Sequence, residues 1–165
     1  MERKEKRIEY FIVRNEADLR DEERQLLKRA EYARESAYAP YSGYRVGAAV
    51  LLENGKMTIG SNQENVAYPA GLCAERVALF YASSRFPDTP IKAIAVTARS
   101  EDFDVSAPVT PCGSCRQVLS ECESRYGRKI RIIMRGENGD ILIVEGIENL
   151  LPLMFRAEQL KKAGK

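Results

Sequence analysis

The sequence of 165 residues contains no histidine and no tryptophan, and only four of its residues are cysteines. The absence of histidine excludes Ser-His-Asp triads, Cys-His pairs and zinc sites built on imidazole, together with any proton transfer by histidine. Acid–base or metal chemistry in this chain must therefore rely on carboxylates, cysteines, lysines or tyrosines.

Long hydrophobic runs and an excess of charge of one sign are also missing. The longest apolar runs, such as residues 46–52, are far shorter than the roughly 18 residues that cross a membrane. The net charge is +2, from 26 basic and 24 acidic residues, which gives no electrostatic reason for a nucleic-acid or membrane partner. Residues 1–20 lack the apolar segment of a secretory signal, so we expect a cytoplasmic protein.

The hydrophobic pattern predicts helices and strands that alternate along most of the chain. An Asn-Gly pair at residues 54–55 predicts a hairpin. This order indicates an α/β protein in which helices cover both faces of a sheet. The predicted helices are residues 19–38, 73–84, 114–126, 149–155 and 157–162, and the predicted strands are residues 44–53, 56–60, 91–98, 130–135 and 141–144.

The domain organisation is predicted to be simple, because the chain has no internal repeat, low-complexity tract or Gly/Ser linker. Its length suits one domain with a buried core. We divide it into an N-terminal extension at residues 1–20 and a single domain at residues 21–165. A β-prone run at residues 8–13 predicts a possible edge strand within the extension.

Two cysteines lie three positions apart in the segment Pro-Cys-Gly-Ser-Cys at residues 111–115, where a loop enters a predicted helix. Both sulfurs can face one metal ion, and the helix N-terminus favours their thiolate forms. A C-x-x-C pair alone also fits a thioredoxin-like redox pair or two ordinary thiols.

A third cysteine begins the segment Cys-Ala-Glu-Arg at residues 73–76, which also lies where a loop enters a helix. Three thiolates fill three corners of a tetrahedron and leave the fourth open to water, which is typical of catalytic rather than structural zinc. Cys122 lies seven residues after Cys115, about 10 Å along a helix, and is expected to be a buried thiol outside the site.

The order C-x-E followed by P-C-x-x-C is the signature of zinc nucleobase deaminases. Further motifs make the chain resemble the homotetrameric cytidine deaminases that use three cysteine ligands. The resemblance implies a three-layer α-β-α sandwich with a central mixed sheet of about five strands. The motifs are A-P-Y-S at 39–42, V-G-A-A at 46–49, N-Q-E-N at 62–65, Y-P at 68–69, C-A-E-R at 73–76, P-C-G-S-C-R-Q at 111–117 and L-L-P at 150–152.

The resemblance implies a reaction, namely zinc-dependent hydrolytic deamination of cytidine and deoxycytidine to uridine and deoxyuridine in pyrimidine salvage, with release of ammonia. It implies one Zn²⁺ per chain, held by Cys73, Cys112 and Cys115, which lowers the pKa of a bound water. Glu75 is expected to carry protons from this water to N3 of the base and to the leaving amine. One carboxylate then suffices, which agrees with the absence of histidine.

The resemblance also implies roles in substrate binding. Asn62 and Glu64 are expected to hold the ribose 3′-hydroxyl, and the backbone around Ala74 and Thr110 is expected to contact the base edge. Tyr44 stands where relatives usually have a phenylalanine against the nucleoside. A half-exposed aromatic residue of a strand is the alternative interpretation of Tyr44.

The implied assembly is a homotetramer whose active sites are shared between subunits. Residues 150–155 are almost all apolar, and exposed patches of this kind usually mark interfaces. Phe155 corresponds to a phenylalanine that reaches a neighbouring subunit's site in similar enzymes. The alternative is that Phe155 belongs to the core of its own chain.

The charge of the metal site leads to a prediction for two arginines. Three thiolates leave Zn²⁺ with a formal charge of −1, which raises the pKa of the bound water. Arg76 and Arg116 directly follow the ligand segments and are predicted to donate hydrogen bonds to the sulfurs. Solvated arginines, or arginines that bridge subunits, are the alternatives.

Other functions compete with a nucleoside deaminase. A blasticidin S-type enzyme, or another small-molecule aminohydrolase of the same fold, shares the zinc motifs, whereas the N-Q-E-N and Y-P motifs favour a nucleoside substrate. A polynucleotide deaminase needs basic and aromatic strand-binding surfaces, which the near-neutral charge argues against. A purely structural zinc module fits poorly with a glutamate beside an open coordination position.

Overall fold

The computed structural model describes residues 1–156 and residue 160. It contains six strands and three α-helices, together with three short 3₁₀ helices at Glu16–Asp18, Tyr68–Ala70 and Ile147–Asn149. The strands are β1 (Phe11–Val13), β2 (Tyr44–Leu52), β3 (Met57–Ser61), β4 (Ile91–Ser100), β5 (Arg131–Arg135) and β6 (Ile141–Glu145). The α-helices are α1 (Asp21–Arg34), α2 (Ala74–Arg85) and α3 (Gly113–Tyr126).

All six strands form one sheet in the order β1-β6-β5-β4-β2-β3. Only the β4–β5 pair is parallel, and the other four pairs are antiparallel. The predicted mixed sheet is therefore confirmed, with six strands rather than about five. The additional strand is β1, which lies at the sheet edge within the run at residues 8–13.

The helices cover both faces of the sheet, which confirms the three-layer sandwich. On one face, α1 buries Leu26, Leu27 and Ala30 against inward-facing residues of the central strands. On the other face, α2 and α3 bury Leu79 and Leu119 among a larger apolar cluster. This arrangement brings α2 and α3 to the same side of the sheet.

Gly60 in β3 allows α2 to lie directly against the sheet. A Cβ atom at this position would lie 2.6 Å from the nitrogen of Ala78 and 2.7 Å from the carbonyl oxygen of Ala74. Any larger residue would push the first turn of α2 away from β3. The glycine therefore helps to set where α2 begins, and Cys73 immediately precedes that point.

The predicted helix at residues 149–155 is wrong. The chain forms only the 3₁₀ turn Ile147–Asn149 and then continues without regular structure. Pro152 lacks a backbone N–H and disfavours helical geometry at the residue before it. Leu150, Leu151 and Met154 instead pack against the core beside α3. The helix expected at residues 157–162 falls almost entirely outside the described residues.

The described residues include no helix that is both long and apolar enough to cross a membrane.

Candidate metal centre and active site

The two cysteine segments lie at the N-termini of two helices on one face of the sheet. Cys73 is the N-cap residue of α2 and Cys112 is the N-cap residue of α3, and both have extended backbone geometry. Cys115 lies one turn into α3 and is buried. Backbone N–H groups at helix N-termini lack intrahelical partners and carry partial positive charge, so both helices favour negative charge at this point.

The sulfur atoms of these three cysteines form a compact group. The Sγ atoms of Cys73 and Cys112 are 3.7 Å apart, and those of Cys112 and Cys115 are 3.5 Å apart. All three sulfurs lie within 4.8 Å of one another. Tetrahedral zinc with Zn–S bonds of about 2.3 Å requires sulfurs about 3.8 Å apart. The geometry and chemistry of the three predicted ligands therefore fit a zinc ion.

Cys122 lies apart from this group. It is partly buried and packs against the core on the α3 side of the sheet. Burial raises the pKa of its thiol to about 11, so it stays protonated and unreactive at neutral pH.

The cysteine group is poised for metal binding by its hydrogen bonds. The Cys115 thiol and the Arg76 guanidinium both stabilise a thiolate at Cys73, which lowers the pKa of Cys73 to about 5. Cys115 is the proton donor in this pair, so the hydrogen bond to Cys73 and burial raise its pKa. The arrangement therefore favours the thiolate form of Cys73.

Glu75 follows the first ligand by two positions and is only 4% exposed. Burial, and after it the negative charge of Cys73, raise the pKa of the Glu75 carboxyl. Its side chain lines the same cavity as Cys73 and Cys112. A carboxyl group with a raised pKa beside a metal site is suited to accept and return protons during a reaction.

The two arginines that follow the ligands make different contacts. The Nη2 atom of Arg76 lies 3.8 Å from the Sγ of Cys73. The guanidinium of Arg116 instead donates to three oxygens: Nε to Pro111 O at 2.7 Å, Nη1 to Leu150 O at 2.8 Å and Nη2 to Thr110 Oγ1 at 3.2 Å. A direct hydrogen bond from Arg116 to a sulfur, as the sequence predicted, is therefore not the arrangement seen, because each of its nitrogens binds an oxygen.

A cavity of about 560 Å³ opens above the cysteine group, a size suited to a small-molecule ligand. Of the predicted substrate-binding residues, Tyr44, Asn62, Glu64 and Thr110 line it. Ala74 is fully buried in the first turn of α2. The remaining lining residues are Tyr41, Ser42, Val46, Gln63, Asn65, Tyr68, Gly71, Leu72, Cys73, Glu75, Arg76, Val109 and Cys112.

Asn62 fixes the start of β2 through both ends of its side-chain amide. Its Oδ1 accepts a hydrogen bond from the backbone nitrogen of Val46 at 2.8 Å, and its Nδ2 donates to the carbonyl oxygen of Tyr44 at 2.9 Å. These bonds hold the wall of the cavity that carries Tyr44. One Nδ2 hydrogen and a lone pair of Oδ1 remain for a ligand.

Glu64 organises the turn before β2. One carboxylate oxygen accepts from the Ser42 hydroxyl at 2.5 Å, and the other accepts from the backbone nitrogen of Tyr41 at 2.9 Å. The Ser42 hydroxyl, followed by backbone donors, lowers the pKa of the Glu64 carboxyl. Glu64 therefore stays ionised and presents its remaining lone pairs to the cavity. Neither the N-Q-E-N motif nor its spacing indicated this second, structural role of Glu64.

Two aromatic contacts at the cavity were not predicted. The ring of Tyr44 stacks on that of Phe103, with centroids 6.0 Å apart and planes 17° from parallel. Tyr41 and Tyr68 meet edge to face with centroids 6.2 Å apart. Tyr41 and Tyr68 stand inside motifs of the sequence. Phe103 lies in an irregular loop, where neither periodicity nor spacing could have identified it.

Phe155 does not line the cavity of its own chain. It is 70% exposed, and its carbonyl oxygen accepts a hydrogen bond from Gln117 Nε2 at 3.1 Å. The apolar segment at residues 150–155 is therefore divided. Leu150, Leu151 and Met154 pack against the core of the chain, whereas Leu153 and Phe155 are exposed.

Known proteins are similar to this chain in both sequence and fold. Residues 20–128 match the family model described as the cytidine and deoxycytidylate deaminase zinc-binding region. A cytidine deaminase from Halalkalibacterium halodurans is 42% identical over 136 residues, which are 82% of this chain and 95% of that protein. A cytidine deaminase from Sporosarcina psychrophila is 41% identical over 139 residues, which are 84% of this chain and 94% of that protein.

The structural comparison gives the same result. The crystal structure of cytidine deaminase from Burkholderia pseudomallei aligns with a TM-score of 0.69 and 38% sequence identity, over 79% of this chain and 97% of that one. The family model covers both cysteine segments, which the structure brings together at the N-termini of α2 and α3. The chain belongs to the cytidine and deoxycytidylate deaminase family.

Proposed function

We propose that this chain is a zinc-dependent cytidine deaminase, which hydrolyses cytidine and deoxycytidine to uridine and deoxyuridine with release of ammonia. The observation that carries the proposal is the position of Glu75, buried beside three clustered thiols in a cavity of about 560 Å³. The extent of the match to cytidine deaminases supports the same reaction. Pyrimidine salvage in the cytoplasm is the corresponding cellular role.

The metal in this proposal is one zinc ion per chain, held by Cys73, Cys112 and Cys115. A bound zinc ion lowers the pKa of a water molecule and so makes a nucleophile available at neutral pH. The N-termini of α2 and α3 and the guanidinium of Arg76 offset the negative charge of the three thiolates.

Glu75 carries the protons of the reaction. It accepts a proton from the attacking water and delivers it to N3 of the base, while the oxygen adds to C4. It then transfers the remaining hydroxyl proton to the amino group, the C4–N4 bond breaks and ammonia leaves. Burial keeps the pKa of Glu75 raised, which suits a group that must take up and release protons within one turnover.

The nucleoside is bound by groups around the cavity. The backbone at Ala74 and Thr110 contacts the base edge, and the ring of Tyr44 packs against the nucleoside. Asn62 and Glu64 bind the 3′-hydroxyl with the hydrogen-bonding capacity that their local bonds leave free. Since cytidine and deoxycytidine both carry a 3′-hydroxyl, both are substrates.

The assembly in this proposal is a homotetramer with active sites shared between subunits. The exposed side chains of Leu153 and Phe155 support an interface at the end of the described chain. Phe155 then completes the active site of a neighbouring subunit. Light scattering on the purified protein is expected to give four chains per particle, and a fully active monomer would contradict this part of the proposal.

The deciding experiment is the absorbance change from cytidine to uridine with the purified protein. Activity is expected to disappear after treatment with a strong zinc chelator and to return when zinc is added. Cys112→Ala is expected to lose both zinc and activity. Cys122→Ala is the matched control, because it removes a thiol of the same helix that lies outside the sulfur group, and it is expected to retain both.

The alternative of a blasticidin S-type or other small-molecule aminohydrolase is tested in the same assay. It is not favoured, because the relatives that match most of the chain are named cytidine deaminases. Turnover of blasticidin S together with failure to convert cytidine by the zinc-loaded protein would establish it instead.

A further inference from the structure

The N-terminal segment precedes the part of the chain that matches the family model, which begins at residue 20. It nevertheless has a defined place in the fold. Its strand β1 pairs antiparallel with β6, with Phe11 opposite Ile143 and Val13 opposite Ile141. The chain before β1 therefore runs onward beside the residues that follow β6.

Two hydrogen bonds join this segment to residues 149–152. The backbone nitrogen of Glu9 donates to Asn149 Oδ1 at 2.8 Å, and Lys6 Nζ donates to the carbonyl oxygen of Pro152 at 2.8 Å. Asn149 is itself held by a bond from its Nδ2 to the carbonyl oxygen of Glu145 at 2.8 Å. Asn149 ends the 3₁₀ turn Ile147–Asn149, and residues 150–152 have no regular structure. The two bonds therefore add to the turn and to the packing of Leu150 and Leu151 in ordering this segment.

The same residues are tied to the active site through α3. The carbonyl oxygen of Leu150 accepts from Arg116 Nη1 at 2.8 Å. Arg116 also holds the carbonyl oxygen of Pro111 and the hydroxyl of Thr110. Thr110 lines the cavity, and Pro111 immediately precedes the ligand Cys112. Hydrogen bonds, joined by the backbone of residues 149–152, thus connect the N-terminal segment to the cavity wall.

We propose that Lys6 and the backbone of Glu9 are positioning elements for the substrate cavity. They order residues 149–152, which hold Arg116, and Arg116 fixes Thr110 and Pro111 in the cavity wall. The proposal rests on the proposed deaminase function for its kinetic consequence. Glu75 lies on α2, outside this set of bonds, whereas Thr110 lines the cavity. The segment therefore acts on substrate binding more than on proton transfer by Glu75.

The test compares two deletions and two substitutions. Deletion of residues 2–10 removes both contacts, whereas deletion of residues 2–5 removes only the local ion pairs Arg3–Glu5 and Glu2–Lys4 and is the control. Glu9→Pro removes the backbone N–H that binds Asn149, and Glu9→Ala keeps it. If the 2–10 deletion does not fold, the comparison of Glu9→Pro with Glu9→Ala still tests the proposal.

Two measurements are made on each zinc-loaded variant. The amides of Leu150 and Leu151, which donate to the carbonyl oxygen of Ile147, are expected to exchange hydrogen faster in the 2–10 deletion and in Glu9→Pro. The KM for cytidine is expected to rise about 2- to 10-fold, as for the loss of one or two hydrogen bonds, while kcat changes less. Both controls are expected to match the full chain.

Unchanged exchange at Leu150 and Leu151 in Glu9→Pro would overturn the proposal, and so would a fall in kcat with KM unchanged. The proposal would also be overturned if a variant and its control showed equal changes in amide exchange and in the KM for cytidine. If the full chain does not convert cytidine, the proposed function fails, and the exchange measurement still decides whether the N-terminal segment orders residues 149–152.

Discussion

Arg76 Nη2 lies 3.8 Å from the Sγ of Cys73, one helical turn earlier in the chain. The positive charge stabilises the thiolate and contributes to the lowered pKa of Cys73. Arg116, which directly follows Cys115, instead donates to backbone and hydroxyl oxygens. Two arginines close to ligand cysteines in the sequence therefore support the site differently, Arg76 through its charge beside a sulfur and Arg116 through the position of a loop.

This difference predicts separate phenotypes for the two arginines. Arg76→Gln removes the charge beside Cys73 and is expected to weaken zinc affinity about 10- to 100-fold, as for other residues that contact metal ligands. Arg116→Gln is expected to retain zinc more strongly than Arg76→Gln and to raise the KM for cytidine. Competition with a chromogenic chelator measures the affinity.

Arg76→Lys is the matched control, because it retains a positive charge and is expected to recover part of the lost affinity. Equal zinc affinity in Arg76→Gln and the unmodified chain would show that Arg76 does not stabilise the thiolate.

Glu75 is predicted to act on protons without binding the metal. Glu75→Ala is expected to keep about one zinc per chain and to lose deamination by at least 10²- to 10⁴-fold, the usual contribution of a general acid–base group. Metal analysis and the cytidine assay on the same preparation measure both properties. A zinc-loaded Glu75→Ala protein with substantial turnover would refute the assignment.

Phe155 is predicted to serve the active site of a neighbouring subunit, since its ring is exposed and absent from the cavity of its own chain. Phe155→Ala is expected to raise the KM for cytidine. Coexpression of Phe155→Ala with Glu75→Ala chains is expected to produce mixed particles in which some sites contain both intact residues.

Specific activity of such particles above that of either variant alone indicates sharing between subunits. If particles that contain both chains show no gain in specific activity, Phe155 acts within its own chain.

Glu123 on α3, which lies outside the group of three cysteines, leads to a prediction about how the stability of the fold depends on pH. Its Oε1 accepts hydrogen bonds from the backbone nitrogens of Ile130 and Ile147, each at 2.9 Å. Burial raises the pKa of this carboxyl in the folded chain. Because the pKa of Glu123 is higher in the folded chain than in the unfolded chain, the folded state binds the proton more tightly. Protonation of Glu123 therefore stabilises the fold fully below the ordinary pKa, and this contribution is lost as pH rises through the raised value.

Glu123→Gln keeps an acceptor oxygen but cannot ionise. Its free energy of unfolding relative to that of the unmodified chain is expected to increase as pH rises from about 4 through the raised pKa of Glu123. Urea unfolding across this range measures the difference, with the exposed Asp88→Asn as control. Parallel stability curves for Glu123→Gln and the unmodified chain would contradict the prediction.

Residues could be placed from the sequence where the pattern that identifies them lies within a few neighbouring positions. Cys112 and Cys115 are identifiable because three residues of separation at a helix start leave little freedom in where their sulfurs point. The hairpin at Asn54-Gly55 is similarly local, and Gly55 indeed has a φ of +78°.

The features that escaped prediction depend on partners far away in the chain. Arg116 binds a carbonyl oxygen 34 residues later, so its sequence neighbours could not indicate its role. The helix expected at residues 149–155 is overridden by packing against α3 and by Pro152. Phe103 meets Tyr44 only because β2 and β4 are paired, which brings the loop after β4 to the cavity.

The cysteine group also has a consequence for the stability of the fold. Cys73 begins α2, whereas Cys112 and Cys115 begin α3, and residues 74–111 lie between them. An ion shared by these cysteines would therefore close a long loop and act as a removable cross-link between two helices, much as a disulfide would, but without an oxidant. Because the unfolded chain holds no such preformed site, the midpoint of thermal unfolding should rise with free zinc concentration by mass action. Thermal stability thereby becomes a direct reporter of metal occupancy.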